Sequence, residues 1–210
     1  MRNGIYIAGP DGSGKTTILK DIEYVLNTKN LKTAHIWIRS PKIFSKPLMA
    51  YCRLVGLTEY KNINRIRFGK HNFGKSAFVS KTFPLLQLID FNIKWFIEKK
   101  KIKQNEIVLF DRFSIDTLAD LMVSTQRFDL HKSYVGKKLI ETVPKDINMI
   151  LLDVQESTIR NRKSDTLHDE LLADKIKAYQ ILGTYLNVKI IDNNKNYNDV
   201  LKEVLHHVSI

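Results

Sequence analysis

The chain lacks several features that would place it in a class at once. Its 210 residues include one cysteine, Cys52, which excludes an internal disulfide and favours a reducing compartment. No apolar run reaches the roughly 18 residues that a membrane-spanning helix needs. The first residues do not follow the pattern of a secretory signal peptide, so we expect a cytoplasmic protein. Repeats and low-complexity linkers are also missing, and the length suits a single domain over 1–210.

Acidic residues are few, since 22 Asp and Glu stand against 34 Lys and Arg, for a net charge of +12. This excess favours anionic partners, and three explanations compete: a nucleic acid, a multiply charged small substrate, or a lysine-rich solvated surface. The clusters at 99–101 and 137–138 lie at predicted helix ends, where cations suit the helix dipole. We expect small-molecule substrates and no membrane partner. Net charge alone supports a nucleic acid, and a homodimer is left open.

A phosphate-binding loop lies near the start of the chain. Residues 9–16 fit G-x-x-x-x-G-K-[ST], after an apolar run at 5–8 and before apolar residues at helical spacing over 18–26. A strand that ends in glycines and opens a helix directs backbone N–H groups and the positive end of the helix dipole at one spot. We predict that ATP binds there, with Lys15 on its β- and γ-phosphates and the Thr16 hydroxyl on Mg²⁺. The ATP-binding residues in this loop are Gly9, Pro10, Asp11, Gly12, Ser13, Gly14, Lys15, Thr16 and Thr17.

The same pattern fits residues 69–76, but its surroundings are wrong. The preceding residues 62–67 are too polar for a central parallel strand, and the loop itself contains the bulky Lys70, His71 and Phe73. Pro84 is expected to interrupt any long helix that starts at Lys75. We interpret this segment as a lysine-rich loop. Whether the basic stretch 61–81 binds substrate or is only solvated surface stays open.

Alternating patterns predict an α/β fold, a doubly wound sheet of five parallel strands flanked by helices. The predicted strands are Ile5–Ala8, Thr33–Ile38, Ile107–Phe110, Ile147–Leu152 and Val188–Ile191. The predicted helices cover 15–28, 84–101, about 115–141 in two pieces, 155–163, 169–186 and 198–208. Weak periodicity and many cations over about 40–83 predict an irregular helical insertion on the substrate side. Ligands bind beyond the carboxyl ends of such strands.

Two further segments offer groups for phosphoryl transfer. Asp111 and Arg112 end the apolar strand at 107–110, where an Asp can hold Mg²⁺ opposite Thr16 and a guanidinium can grip two phosphate oxygens. A basic, polar stretch at about 160–169, with Arg160 and Arg162, is interpreted as a lid that closes over ATP and expels water.

The order of these segments resembles the thymidylate kinase family of P-loop nucleoside monophosphate kinases over most of the chain. The resemblance is weakest at about 42–83. It implies an ATP- and Mg²⁺-dependent transfer to a nucleoside monophosphate, dTMP in that family. It implies that Asp11 organises metal and substrate, and that Arg39 of Arg39-Ser40-Pro41 and Arg112 of Asp111-Arg112-Phe113 lie near the acceptor phosphate. It makes Arg160 and Arg162 the lid arginines and puts Asp192 and Asn193 beside the adenine.

The departures from the family pattern fall on the acceptor side. Asp116 and Asp120 stand where the family has a Ser or Asn and a Tyr, and the helix before the third strand offers Gln87 and Asp90 without the usual arginine. These carboxylates suit an acceptor with hydroxyls or amines. The predicted catalytic set is Asp11, Lys15, Arg112, Arg160 and Arg162, and the metal ligands are Thr16 and Asp111. The predicted acceptor-binding set is Arg39, Arg112, Phe113, Asp116, Asp120, Gln87 and Asp90.

Other functions fit the residues less well. A kinase acting on a nucleoside or another small hydroxyl-bearing molecule needs a general base, for which Asp11 or Asp116 could serve. A GTPase usually has Asn-Lys-x-Asp after a strand, whereas Asn194-Lys195-Asn196-Tyr197 lacks the Asp. A motor-type ATPase usually has Glu after the strand Asp, where this chain has Arg112.

Overall fold

The computed structural model describes residues 4–63, 66–103, 106–163, 166–167 and 169–209. The strands are β1 (Gly4–Ala8), β2 (Thr33–Ile36), β3 (Thr58–Ile63), β4 (Ile66–His71), β5 (Ile107–Asp111), β6 (Ile147–Asp153) and β7 (Lys189–Asp192). The α-helices are α1 (Lys15–Thr28), α2 (Ser45–Leu54), α3 (Ala77–Glu98), α4 (Ser114–Thr125), α5 (Tyr134–Glu141), α6 (Glu156–Arg162), α7 (Leu172–Leu186) and α8 (Tyr197–Val208).

Five of the strands form one parallel sheet in the order β2-β5-β1-β6-β7. The central strand β1 is buried along its whole length, because helices cover both faces of the sheet. The predicted α/β fold with a five-stranded parallel sheet flanked by helices is therefore confirmed. Each observed strand lies within two residues of its predicted bounds.

Alternate residues of β1 feed two separate cores. Tyr6 and Ala8 point into the core shared with α3, α4 and α7. Ile5 and Ile7 point into the core shared with α1 and α8. Because side chains alternate across a strand, this one short apolar run packs against helices on both faces of the sheet. The same packing holds in place the end of β1, from which the following loop leaves the sheet.

The insertion at about 40–83 is not helical throughout, and the prediction is wrong for Thr58–Ile63 and Ile66–His71. Strands β3 and β4 pair there as an antiparallel hairpin, after α2 and before α3. The second motif match at 69–76 runs from the end of β4 through a 3₁₀ turn at Phe73–Lys75, so it is not a plain loop. Neither Gly69 nor Gly74 has a positive φ, and Phe73 is fully buried, so this segment does not form a phosphate cradle.

The prediction that Pro84 interrupts a helix is wrong, because α3 runs through it. A proline inside a helix leaves the carbonyl four residues earlier without its N–H donor. That carbonyl belongs to Ser80, and it accepts a hydrogen bond at 3.4 Å from Nη1 of Arg127. A distant side chain thus replaces the missing backbone donor.

Within the described ranges, no helix is long and apolar enough to cross a membrane. Of the predicted lid at 160–169, residues 164, 165 and 168 lie outside the described residues.

Candidate active site

The loop at 9–16 leaves the carboxyl end of β1 and opens α1, as the motif predicts. Gly12 and Gly14 take left-handed backbone conformations, with φ of 84° and 87°, which only glycine adopts without strain. Gly14 is the N-cap of α1, and neither a capping side chain nor an acidic residue occupies the first turn. The first amides and the positive end of the helix dipole are therefore left for an anion.

Lys15 folds back over this loop. Its Nζ donates hydrogen bonds of 2.6 Å and 2.8 Å to the carbonyls of Gly9 and Pro10, and the side chain is almost fully buried. Burial lowers the pKa of Lys15, against the opposing charges of Asp116 and Asp111. An ammonium held by two carbonyls beside the free amides is placed to exchange those carbonyls for phosphate oxygens.

The two predicted metal ligands are in direct contact. Thr16 Oγ1 donates to Asp111 Oδ2 at 2.8 Å, from the start of α1 to the end of β5. Adjacent oxygens in an octahedral Mg²⁺ shell lie about 3 Å apart, so this pair fits that ion. Among the described residues, no group of three or more His, Cys, Asp and Glu forms a metal cage. Mg²⁺ usually takes one or two protein ligands and completes its shell with phosphate and water.

Asp11 brings two arginines together. Arg39 Nη2 donates to Asp11 Oδ2 at 3.2 Å, and Arg112 forms an ion pair with the other oxygen, Oδ1. Arg112 is nearly buried and has a positive φ of 66°, a strained conformation for a residue other than glycine. Three of the predicted site residues thus form one cluster at the ends of β1, β2 and β5, although they lie far apart in sequence.

The loop predicted to lie beside the adenine, at residues 192–193, is hydrogen-bonded to the phosphate-binding loop. Asn193 Nδ2 donates to the Ser13 carbonyl at 2.6 Å, and the backbone N–H of Asn193 donates to the Asp153 carbonyl at 2.9 Å. A Cβ on Gly14 would lie only 3.0 Å from Asn193 Nδ2. Asp192 points elsewhere, since it accepts from the N–H of Asn194 at 3.0 Å. Asn193 therefore holds the loop in shape, while Asp192 shapes its own turn.

Helix α6 lies directly on the phosphate-binding loop. A Cβ on Gly12 would come within 3.0 Å of Ile159 Cγ2 and 3.4 Å of Lys163 Cβ. Arg160 does not point at the loop. It forms an ion pair with Glu156 and donates to the carbonyls of Thr166, Leu167 and Asp169. Arg160 thus ties the predicted lid segment together, and the structure gives no support to its predicted catalytic contact.

Arg162 lies exposed in the last turn of α6, and Lys163 follows it in the lining of a cavity. The structure therefore brings Lys163 to the site instead of the two predicted lid arginines.

That cavity, of about 420 Å³, lies beside Asp11. Its cationic lining residues are Arg39, Lys42, Lys70, Lys163 and Lys175, and its acidic ones are Asp11, Asp120, Asp169 and Glu170. Lys70 pairs with Glu170 and Lys175 with Asp169, both at 2.6 Å. Apolar and aromatic side chains from α2, α3, α4 and the segment after β4 complete the wall. This mixture suits a ligand with an anionic end and an apolar body.

Asp116 is one of four predicted acceptor ligands whose side chains are already engaged by other groups of the protein. Its carboxylate is buried and accepts hydrogen bonds from the Tyr6 hydroxyl at 2.6 Å, the Tyr179 hydroxyl at 2.7 Å and the Phe113 N–H at 2.9 Å. Burial, followed by the charge of Asp116, raises the pKa of both tyrosines, so they stay protonated donors. Asp116 joins β1, α4 and α7, which is a structural role.

Asp90 is also an internal anchor. It is fully buried and accepts from the N–H groups of Ile43, Phe44 and Ser45, and from the Ser45 hydroxyl at 2.6 Å. Burial alone would raise the pKa of Asp90, but these hydrogen bonds, with that of Ser45 foremost, lower it instead. The carboxylate therefore fixes the start of α2.

Phe113 and Gln87 are likewise engaged inside the protein. Phe113 is fully buried among aromatic rings, with its centroid 4.8 Å from that of Phe110 and 5.1 Å from that of Phe91. Gln87 borders the cavity, but its amide nitrogen donates to the Pro41 carbonyl and the Ser45 hydroxyl. Of the predicted acceptor set, Arg39, Asp120 and Gln87 line the cavity, and Arg112 is linked to it through Asp11.

Sequence reasoning did not identify several cavity residues. Lys42, Lys70, His71 and Lys175 line it. Lys70 and His71 lie in the second motif match, which we interpreted as a lysine-rich loop, and Lys42 and Lys175 were not assigned to the site. The basic stretch 61–81 divides accordingly: Lys70 and His71 face the cavity, whereas Lys75 and Lys81 are exposed. Alternation of apolar and polar residues at 66–68 is the signal that could have indicated the hairpin.

Comparison with protein-family models gives no match to this chain, and comparison with curated proteins gives none either.

Proposed function

We propose that this protein is a kinase of the P-loop type, which transfers the γ-phosphoryl group of ATP to a small phosphorylated acceptor in the adjoining cavity. The acceptor class that fits best is a nucleoside monophosphate, as in the thymidylate kinase family that the sequence resembles. A doubly wound fold of the P-loop nucleoside monophosphate kinase kind, and a cytoplasmic location where ATP is available, belong to the same proposal.

One observation supports the proposal most strongly. The motif at 9–16 forms an uncapped helix start with two left-handed glycines, and Lys15 lies over it. Such a helix start binds phosphate through its amides and its dipole. Phosphoryl transfer requires mainly positioning and positive charge around the moving group. Arg39 and Arg112 can provide that charge, because both form ion pairs with the same carboxylate, that of Asp11, which lines the cavity.

Magnesium has a suitable place in this scheme. Thr16 and Asp111 would hold the ion, which neutralises charge on the phosphates when it is bound. Asp11 keeps Arg39 and Arg112 pointed toward the same spot, so that both guanidinium groups can turn to the phosphate of the acceptor. Lys163, the residue after α6, adds a further positive charge to the cavity lining.

A kinase acting on a neutral hydroxyl is the alternative, and the contacts disfavour it. Such a reaction needs a general base, and the two predicted candidates are occupied. Asp11 is paired with two arginines, and Asp116 accepts three hydrogen bonds inside the protein. Neither carboxylate therefore has an oxygen left to approach an acceptor hydroxyl without first giving up these contacts.

An ADP-release assay with ATP and Mg²⁺, across nucleoside monophosphates, nucleosides and sugars, tests the proposal. We expect turnover with at least one nucleoside monophosphate, and we expect it to be lost in Lys15→Met, which keeps the buried aliphatic stem. Thermal unfolding of the variant checks that it is folded. Turnover only with unphosphorylated acceptors, or equal turnover in the variant, would contradict the proposal.

A further inference from the structure

The outer wall of the cavity contains a histidine that the proposed chemistry does not use. His71 is the last residue of β4, and it lines the cavity together with Phe73 and Phe83. Its ring is stacked on Phe73, with centroids 5.1 Å apart and an interplanar angle of 23°. Phe73 in turn packs on Phe83 at 4.5 Å. The imidazole is therefore a polar group at the edge of a cluster of aromatic rings in the cavity wall.

A hydrogen bond fixes which nitrogen of His71 remains for a ligand. Nδ1 lies 3.1 Å from the hydroxyl of Thr58, which faces it across the hairpin and is nearly buried. Stacking on Phe73 and this hydrogen bond together hold the plane and the rotation of the ring. Across the described part of the chain, Nε2 has no hydrogen-bond partner, so it is the nitrogen that a ligand can use.

The imidazole is neutral at physiological pH. Burial, reinforced by the positive charges of Lys42, Arg53 and Lys175, lowers the pKa of His71 to about 4. His71 therefore adds no further positive charge to the cationic side chains that line the cavity. A neutral imidazole offers either a donor or an acceptor at Nε2, which is the property needed to distinguish uncharged polar groups.

We propose that His71 determines acceptor specificity, with Nε2 forming a hydrogen bond to the polar edge of a flat heterocycle of the kind that a nucleobase presents. The inference rests on the proposed function and deepens it. Gln87, another uncharged polar residue that lines the cavity, already donates to the Pro41 carbonyl and the Ser45 hydroxyl. Met49, Phe83 and Leu121 supply the apolar contacts that suit the body of such a ring.

The test uses the acceptors that the wild-type protein phosphorylates. His71→Phe keeps a flat ring against Phe73 but removes Nε2, whereas His71→Gln places an amide near the position of Nε2. We expect His71→Phe to raise the KM for the acceptor at least about tenfold, with the KM for ATP unchanged, and His71→Gln to restore most of the affinity. An exposed histidine, replaced as His35→Gln, is the matched control and should change neither constant.

Specificity gives a second readout that a purely structural role would not move. Wild-type protein should discriminate between two acceptors that differ in one hydrogen-bonding group of the ring, and His71→Phe should not. If the variants do not fold, the ¹⁵N shift of His71 Nε2 in the wild-type protein decides, since it should change when acceptor is added. Equal KM and equal discrimination in His71→Phe, or an unmoved Nε2 shift, would overturn the inference and leave the proposed function intact. Turnover of no nucleotide would overturn both.

Discussion

Replacing Asp116 with asparagine distinguishes an internal anchor from an acceptor ligand. The carboxylate accepts hydrogen bonds from Tyr6, Tyr179 and the Phe113 amide, at 2.6 to 2.9 Å. Bonds to a charged group contribute about 1.5–3 kcal/mol each, and neutral ones about 0.5–1.5 kcal/mol. Weakening three of them should lower the free energy of unfolding by about 3 kcal/mol. For a chain of this size that corresponds to a fall in Tm of about 6–12 °C.

The matched control is Asp120→Asn, one helical turn further along α4. Asp120 is half-buried and lines the cavity, so its substitution should leave Tm nearly unchanged and alter the KM for the acceptor. Thermal unfolding and acceptor titrations on both variants give the comparison. A normal Tm with a raised acceptor KM in Asp116→Asn would refute the assignment of Asp116 to the interior.

Three further outcomes are expected. Gly14→Ala should weaken ATP binding, because its Cβ would lie 3.0 Å from Asn193 Nδ2. Gly56→Ala shares the positive φ but has open space around it, so calorimetric titration should show normal ATP affinity there. Urea unfolding should show that the free energy of unfolding falls by about 2 kcal/mol from about pH 7 to pH 5. The reason is that the pKa of His71 is 6.5 in the unfolded chain and about 4 in the folded one, so the unfolded chain takes up the proton first. His71→Gln should remove this pH dependence. Asp90→Ala should lower the free energy of unfolding by about 1–3 kcal/mol, measured in the same way, because three amides at the approach to α2 and its first residue lose their acceptor; an unchanged value would contradict the anchoring role.

The parts of the fold that could be predicted are those written in local sequence. The apolar run at 5–8, the glycines that follow it and the helical spacing after Lys15 lie within about 25 consecutive residues. Strand and helix periodicity therefore located the sheet and the phosphate-binding loop without any knowledge of distant contacts.

The acceptor side could not be predicted, because its roles depend on partners far away in the chain. Asp116 is bound by Tyr6, 110 positions earlier, and by Tyr179, 63 positions later, and nothing near it in sequence indicates that it is buried. The helix through Pro84 depends in the same way on Arg127. A charged residue near a motif suggests a ligand contact, whereas the fold decides whether its charge is already satisfied.

Binding of ATP at the amides of residues 12–16 is the most direct test of the central claim. The measurement is the backbone amide chemical shift of each residue during titration with a non-hydrolysable ATP analogue and Mg²⁺. We expect saturable shifts concentrated at Gly12–Thr16, and a large loss of affinity in Lys15→Met. Shifts located elsewhere, or none at millimolar analogue, would contradict a nucleotide site at the start of α1.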